Sequence, residues 1–142
     1  MNGDQPAFVD TNVLVYAFDK GHSSKNRAAK QLIQALVDED RLRVSTQVLQ
    51  ELFVTLTRKV KQRCSSEEAL SVLQDLAVWP LVVVNYPEIR SAIGLADDAR
   101  ISFRDALIVV AAARAGAQIL YTEDLNDGQK IFGVRISNPF EA

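Results

Sequence analysis

The spacing of apolar and polar residues changes along the chain in a regular way. Ala7-Phe8-Val9 is a short unbroken apolar run, as expected of a strand buried on both faces, and after Asp10 an apolar helical pattern covers Asn12 to Phe18. Asp19 to Ser24 reads as a polar turn. From Lys25 to Asp38, residues Ala28, Ala29, Leu32, Ile33, Leu36 and Val37 recur at helical spacing with Lys and Gln between them, which predicts an amphipathic helix. Leu42 to Val44 is a brief second strand. Ser45 or Thr46 can cap the following helix, whose stripe of Val48, Leu49, Leu52, Phe53, Leu56 and Val60 carries it to about Lys61.

Ser65-Ser66-Glu67-Glu68 is a capping box that opens another helix, and Pro80 ends it. Leu81 to Val84 predicts a third strand. Asn85-Tyr86-Pro87-Glu88 starts a helix to about Ala99, and Ser102-Phe103-Arg104-Asp105 opens a further one over Ala106 to Ala115. That last helix is apolar on nearly every side, so it is expected to be buried, and Gly116 is its natural stop. Gln118 to Tyr121 reads as a fourth strand, Thr122 to Gln129 as a polar loop with an Asn-Asp-Gly turn, and Val134 to Ile136 as a short fifth strand. Strands alternating with helices predict right-handed crossovers and an α/β fold: a three-layer α/β/α sandwich around a mainly parallel five-stranded sheet.

Composition narrows this picture. The 142 residues fit a single domain, 1–142, and 48% hydrophobic with 24% charged residues is the balance of a globular chain. A net charge of −2 provides no overall positive field, so a nucleic-acid partner must be held by a local basic patch or by metal ions. Met1 to Pro6 carry no Lys or Arg ahead of an apolar stretch, and the apolar runs Leu76 to Val84 and Ala106 to Ala113 are too short to span a bilayer. A cytoplasmic protein with no membrane partner is expected. Cys64 stands alone, can form no internal disulfide and reads as an inert thiol. With His22 as its one histidine, the chain offers no Cys/His zinc cluster, and it contains neither a P-loop nor a G-x-G-x-x-G turn. Chemistry, if present, falls to carboxylates.

Asp10 lies at a strand-to-helix junction, where the carboxyl ends of the strands of an open α/β sheet face a ligand crevice. It is equally suited to cap the next helix, and the two roles are compatible because a carboxylate has two oxygens. Asp105 sits in the first turn of the buried helix, where Ser102-x-x-Asp105 is also a capping-box variant. Glu51 falls on the flank of an apolar stripe, near Val48 and Thr55, and a solvated Glu is the competing reading. Asp124 follows the fourth strand in Tyr121-Thr122-Glu123-Asp124-Leu125-Asn126-Asp127-Gly128, a loop that needs no function to be acidic but leaves its strand at the crevice end. Four carboxylates at one edge repel unless a cation joins them. Mg²⁺ or Mn²⁺, which take oxygen ligands, suit such a set and can activate water against a phosphodiester.

These stretches resemble the PIN domain family, and within it the VapC-type ribonuclease toxins of bacterial toxin-antitoxin pairs. The likeness is carried by Val9-Asp10-Thr11-Asn12-Val13-Leu14, Gln47-Val48-Leu49-Gln50-Glu51-Leu52, Ser102-Phe103-Arg104-Asp105-Ala106-Leu107-Ile108 and the stretch from Leu120 to Gln129. The resemblance implies a five-stranded parallel sheet between helices and Mg²⁺ or Mn²⁺ held by Asp10, Glu51, Asp105 and Asp124. It implies Thr11, Asn12 and Thr122 as supporting residues, and Asp127 as a further acid. It also implies an RNA substrate, a homodimer and a cognate antitoxin that blocks the site, often with a basic side chain. Relatives commonly carry a large aromatic residue before the third acid, where this chain has Arg104; that residue is either a phosphate-contacting cation beside the site or exposed surface. The basic run from Arg58 to Arg63 either tracks RNA phosphates or complements a helix C-terminus.

The function expected is therefore a metal-dependent endoribonuclease, the toxin of a toxin-antitoxin pair. The alternative is a non-catalytic PIN-like module that binds RNA or a basic partner peptide through its acidic pocket. A phosphoryl-accepting receiver domain shares the architecture, but the chain shows no clear acidic pair near the first strand and no obvious lysine at the last one.

Overall fold

The computed structural model of the chain describes residues 5–19 and 23–141, and His22 lies outside them. Strand β1 (Ala7–Val9) has no exposed surface at any of its three residues. Successive side chains of a strand point to opposite faces, so β1 is covered on both sides. Asp10 leads directly into α1 (Thr11–Phe18), followed by α2 (Ser23–Asp38), β2 (Leu42–Ser45) and α3 (Thr46–Val54). The chain continues through α4 (Ser66–Ala77), β3 (Leu81–Val82), α5 (Tyr86–Ala99), α6 (Phe103–Arg114), β4 (Ile119–Tyr121), β5 (Lys130–Ile131) and β6 (Val134–Ser137).

The strand order is β3-β2-β1-β4-β6-β5, parallel throughout except for the β5–β6 pair. From β1 the chain builds outward through β2 and β3, then returns to the other side of β1 with β4. The order reverses between β1 and β4, and a crevice forms beyond the carboxyl ends of strands at such a point. Helices flank the sheet, with α1 packed on α2 and α5 on α6. The main core joins Phe8, Val13, Leu14, Leu42, Leu52, Ile108, Leu120 and Ile136, and a smaller apolar cluster between α5 and α6 is formed by Ala92, Ala106, Leu107 and Val110.

The sheet has six strands where the periodicity predicted five. The addition, β5, is two residues long, shorter than any window in which alternation can be read. It folds back on β6 through Phe132 and Gly133, with φ of 53° and 81°. A two-residue hairpin with positive φ at both positions favours Asn, Asp or Gly at the first, and an aromatic residue there is not a sequence signal for it. Strand β3 is shorter than expected because the Val84 N–H donates to the Thr46 hydroxyl (3.1 Å) and not to a neighbouring strand.

Two helices follow the sequence closely. The Ser65 hydroxyl accepts from the Glu68 N–H (3.1 Å) while the Glu68 carboxylate accepts from the Ser65 N–H (2.8 Å), a complete capping box. Helix α6 is buried continuously from Ala106 to Ala112, and Gly116 follows it at φ 75°. The helix expected to reach Lys61 instead ends its α-helical part at Val54 and widens into one π-helical turn, Thr55–Lys59, closed by Val60 N–H to Thr55 C=O (3.1 Å). The Thr57 hydroxyl donates to the Phe53 carbonyl (2.8 Å), the back-bonding by which Thr loosens a helix ladder. Cys64 is a half-buried free thiol against the core.

A candidate acidic site at the sheet crossover

Parallel register sets the first contact of the site. Val9 pairs with Tyr121, and the Asp10 N–H donates to the Tyr121 carbonyl (3.0 Å), so the next residue on each strand, Asp10 and Thr122, lies side by side at the crevice. The Thr122 hydroxyl, fully buried, donates to Asp10 Oδ2 (2.8 Å), and the Thr11 N–H donates to Asp10 Oδ1 (2.6 Å). Asp10 is therefore the cap of α1 and, at 1% exposure, a buried acid at the crossover.

Glu51 comes from the second turn of α3, whose start is fixed by Ser45 at the end of β2, where the Ser45 hydroxyl accepts from the Val48 N–H (3.3 Å). The Thr11 hydroxyl donates to Glu51 Oε1 (2.7 Å), and Gln47, one helical turn earlier, donates to Oε2 (3.4 Å). Asp105 in the first turn of α6 has its N–H held by the Ser102 hydroxyl (3.0 Å), which leaves its carboxylate turned toward Arg104. Asp124 follows Thr122, whose hydroxyl accepts from the Asp124 N–H (3.1 Å). Asn12 ties this loop to α1 by donating to Thr122 Oγ1 and accepting from the Glu123 N–H, both at 3.4 Å.

Arg104 stands at the centre. Its guanidinium donates from Nη2 to Asp10 Oδ1 (2.7 Å) and Glu51 Oε1 (2.5 Å), from Nη1 to Asp10 Oδ2 and Asp105 Oδ1 (both 3.1 Å), and from Nε to Glu51 Oε2 (3.1 Å). Asp124 Oδ2 lies 3.5 Å from Nη1. All four acids expected from the sequence thus meet on one cation, and Arg104, left open between phosphate contact and bare surface, is their half-buried centrepiece.

The electrostatics follow this arrangement. Burial alone would lower the Arg104 pKa, but the hydrogen bonds it donates to Asp10 and Glu51 outweigh it and raise the pKa. Burial likewise opposes ionisation of Glu51, and the hydrogen bonds from Arg104, Thr11 and Gln47 together hold its carboxyl below the ordinary value. Asp124 is raised, first by burial and then by the charges of Asp10 and Asp105. One guanidinium does not neutralise the set.

The other loop acids face elsewhere. Glu123 binds Lys25 (2.5 Å) and Tyr16 (3.0 Å) at the α1–α2 seam, and Asp127 accepts from the Asn138 N–H (2.8 Å), closing the loop onto the end of β6. Asp127 is not brought to the Arg104 cluster. Gln47 was not singled out in the sequence. It also donates to the Arg104 carbonyl (3.3 Å), and its own Oε1 is buried with no protein partner. Its signal was the spacing of four residues to Glu51 on one helix face.

Four carboxylates without histidine or thiolate form a donor set for a hard divalent cation. Among the described residues, however, no three such side chains are drawn together as a metal cage, and the Arg104 guanidinium stands between Asp10 and Glu51. Beside the acids runs a groove of about 960 Å³, lined by Val15, Tyr16, Val54 and Val60, with Lys59 and Lys61 along it and Arg104 at its acidic end.

The PIN domain family matches residues 7–127. Ribonuclease VapC23 of Mycobacterium tuberculosis is 31% identical over 85 residues, which cover 59% of this chain and 67% of that protein. Among solved structures, a toxin-antitoxin complex from Klebsiella pneumoniae superposes with a TM-score of 0.71 at 20% identity, covering 96% of this chain and 99% of that one. Mycobacterium tuberculosis VapC20, a toxin that cleaves the sarcin-ricin loop, superposes with a TM-score of 0.65 at 20% identity, covering 91% and 98%. With the family match spanning the strands, helices and loops that bring Asp10, Glu51, Asp105 and Asp124 together, this chain belongs to the PIN domain family.

Proposed function

We propose that this protein is a divalent-metal-dependent endoribonuclease, the toxin of a toxin-antitoxin pair, with Asp10, Glu51, Asp105 and Asp124 as its acidic site. The observation that carries the reading is the convergence of these four carboxylates at the sheet crossover, where α/β folds place their ligands. Mg²⁺ or Mn²⁺, when bound, neutralises the acids, polarises the phosphodiester and lowers the pKa of water. The chain's own residues set the geometry. Thr11 and Thr122 orient Asp10, Thr11 and Gln47 orient Glu51, and Asn12 holds the loop that carries Asp124. Lys59 and Lys61 line the groove where the phosphates of an RNA strand can run. Water attacks phosphorus and the P–O3′ bond breaks, leaving a 3′-hydroxyl and a 5′-phosphate.

The proposed setting is cytoplasmic, with a cognate antitoxin and a homodimer as protein partners. The groove's valines beside its acids suit an antitoxin segment that carries apolar and basic side chains. Val83, Tyr86, Ile89 and Ile93 are exposed apolar residues on and beside α5, a surface of the kind that pairs subunits. No helix among the described residues is long and apolar enough to cross a membrane.

The test is cleavage of RNA by the purified protein. Cutting is expected to stop in chelator, to return with Mn²⁺ and to yield 5′-phosphate ends. Equal cleavage in chelator, or cyclic phosphate ends, would overturn the proposal, and tight RNA binding without turnover would favour the non-catalytic module. A second expectation concerns Thr122, whose hydroxyl donates to Asp10 and accepts from Asn12 and Asp124. Thr122→Val keeps the shape but removes those bonds, and a loss of about 10- to 100-fold in cleavage is expected, as for residues that orient metal ligands. Unchanged turnover at unchanged melting temperature would show that Thr122 positions nothing.

A further inference from the structure

We infer that Arg104 is a built-in counter-ion occupying the cation position of the acid quartet, so that guanidinium and divalent ion are alternative occupants and loading the site requires Arg104 to swing out. The inference rests on the proposed metal-dependent reading of this site. It follows from how the carboxylate lone pairs are used. An ionised carboxylate accepts at about four lone-pair sites, two on each oxygen. Asp10 Oδ1 receives the Thr11 N–H (2.6 Å) and Arg104 Nη2 (2.7 Å), and Oδ2 receives the Thr122 hydroxyl (2.8 Å) and Arg104 Nη1 (3.1 Å). Glu51 Oε1 receives the Thr11 hydroxyl (2.7 Å) and Arg104 Nη2 (2.5 Å), and Oε2 receives Gln47 (3.4 Å) and Arg104 Nε (3.1 Å).

Every oxygen of the two inner acids is therefore shared between one scaffold donor and the guanidinium. The scaffold donors come from the backbone, from buried hydroxyls and from a helical neighbour, and they are fixed by the fold. The guanidinium is the donor on a long flexible stem. Nη2 stands between Asp10 Oδ1 (2.7 Å) and Glu51 Oε1 (2.5 Å), so a divalent ion held by both carboxylates would compete with it for the same oxygens. Arg104 is half-exposed and already lines the groove beside the acids, so the displaced side chain has somewhere to go, next to Lys59 and Lys61. A guanidinium that reached the groove would add a forked phosphate contact at its acidic end. The same residue then holds the acids together before loading and faces the RNA backbone after it.

The test is Mn²⁺ binding to the full chain, followed by calorimetry and by the paramagnetic resonance of the bound ion, for wild type, Arg104→Ala, Arg104→Gln and Arg104→Lys. Arg104→Ala and Arg104→Gln are expected to bind Mn²⁺ at least about tenfold tighter, since they remove a competing charge-assisted fork. Arg104→Lys, a point charge without the fork, is expected to fall between them and wild type. Without metal the Ala and Gln variants should melt below wild type, and saturating Mn²⁺ should raise their melting temperatures by more than it raises that of wild type. Equal or weaker Mn²⁺ binding in both Ala and Gln variants, with folded circular dichroism spectra, would overturn the inference and leave the metal-dependent reading standing. No Mn²⁺ binding by any of the four proteins would overturn both.

Discussion

Asp10→Asn is expected to reduce RNA cleavage by at least about 100-fold, because residues that merely orient a metal ligand are worth 10- to 100-fold and Asp10 is proposed as a ligand itself. The substitution keeps the side chain's size in a position that is 1% exposed. It removes the charge and converts one acceptor into a donor. Both carboxylate oxygens of Asp10 face donors, from Thr11, Thr122 and Arg104, so either orientation of the amide sets N–H against N–H. A buried polar clash of that kind costs about 1–3 kcal/mol, so a lower melting temperature should accompany the loss. Cleavage rates at saturating Mn²⁺, measured well below the variant's melting temperature, separate the two effects. Retention of activity within about tenfold of wild type would remove Asp10 from the ligand set.

Phe8→Ala tests the platform beneath the site. Phe8 is the middle residue of β1, pairs with Arg43 on β2 and Leu120 on β4, and has no exposed surface. Truncating a buried phenylalanine costs about 3–5 kcal/mol through lost burial and the cavity left behind. Against a total stability of about 5–15 kcal/mol for a natural domain, that is a large share. Urea unfolding should show a lower midpoint at unchanged slope. Val78→Ala, at a position 74% exposed, should change stability by no more than about 0.5 kcal/mol. If the two variants behaved alike, β1 would not be the centre of the sheet.

Much of this architecture was legible in the order of residues because its causes are local. The apolar run Ala7-Phe8-Val9 predicts a strand covered on both faces, the Ser65 to Glu68 box predicts a helix start, and the unbroken apolar surface of Ala106 to Ala112 predicts burial, all as found. Where a tertiary contact competes with the local pattern, the reading fails. Thr46 takes the Val84 N–H away from β3, Thr57 back-bonds into the helix that was expected to run on to Lys61, and β5 is too short to leave a periodic trace.

The site divides along the same line. The sequence pointed to Asp10, Asp105 and Asp124 at the ends of separate elements, because residue type and position at a strand or helix terminus are local properties, and the family resemblance added Glu51 from within a helix. It left the role of Arg104 open between phosphate contact and bare surface and missed Gln47. The role of Arg104 depends on distance across the fold, since from α6 it reaches Asp10 after β1 and Glu51 on α3, residues 94 and 53 positions away, whereas Gln47 combines a local bond to Glu51 with a long-range one to the Arg104 carbonyl. It also named Asp127 as a further acid, where the structure gives that carboxylate to the Asn138 N–H. Which carboxylates share a cation is decided by the parallel register of β1 and β4, which sets Asp10 beside Thr122, and by the packing of α3 and α6 around that point. Only the folded chain brings those registers together, and with them the guanidinium that holds the acids in place.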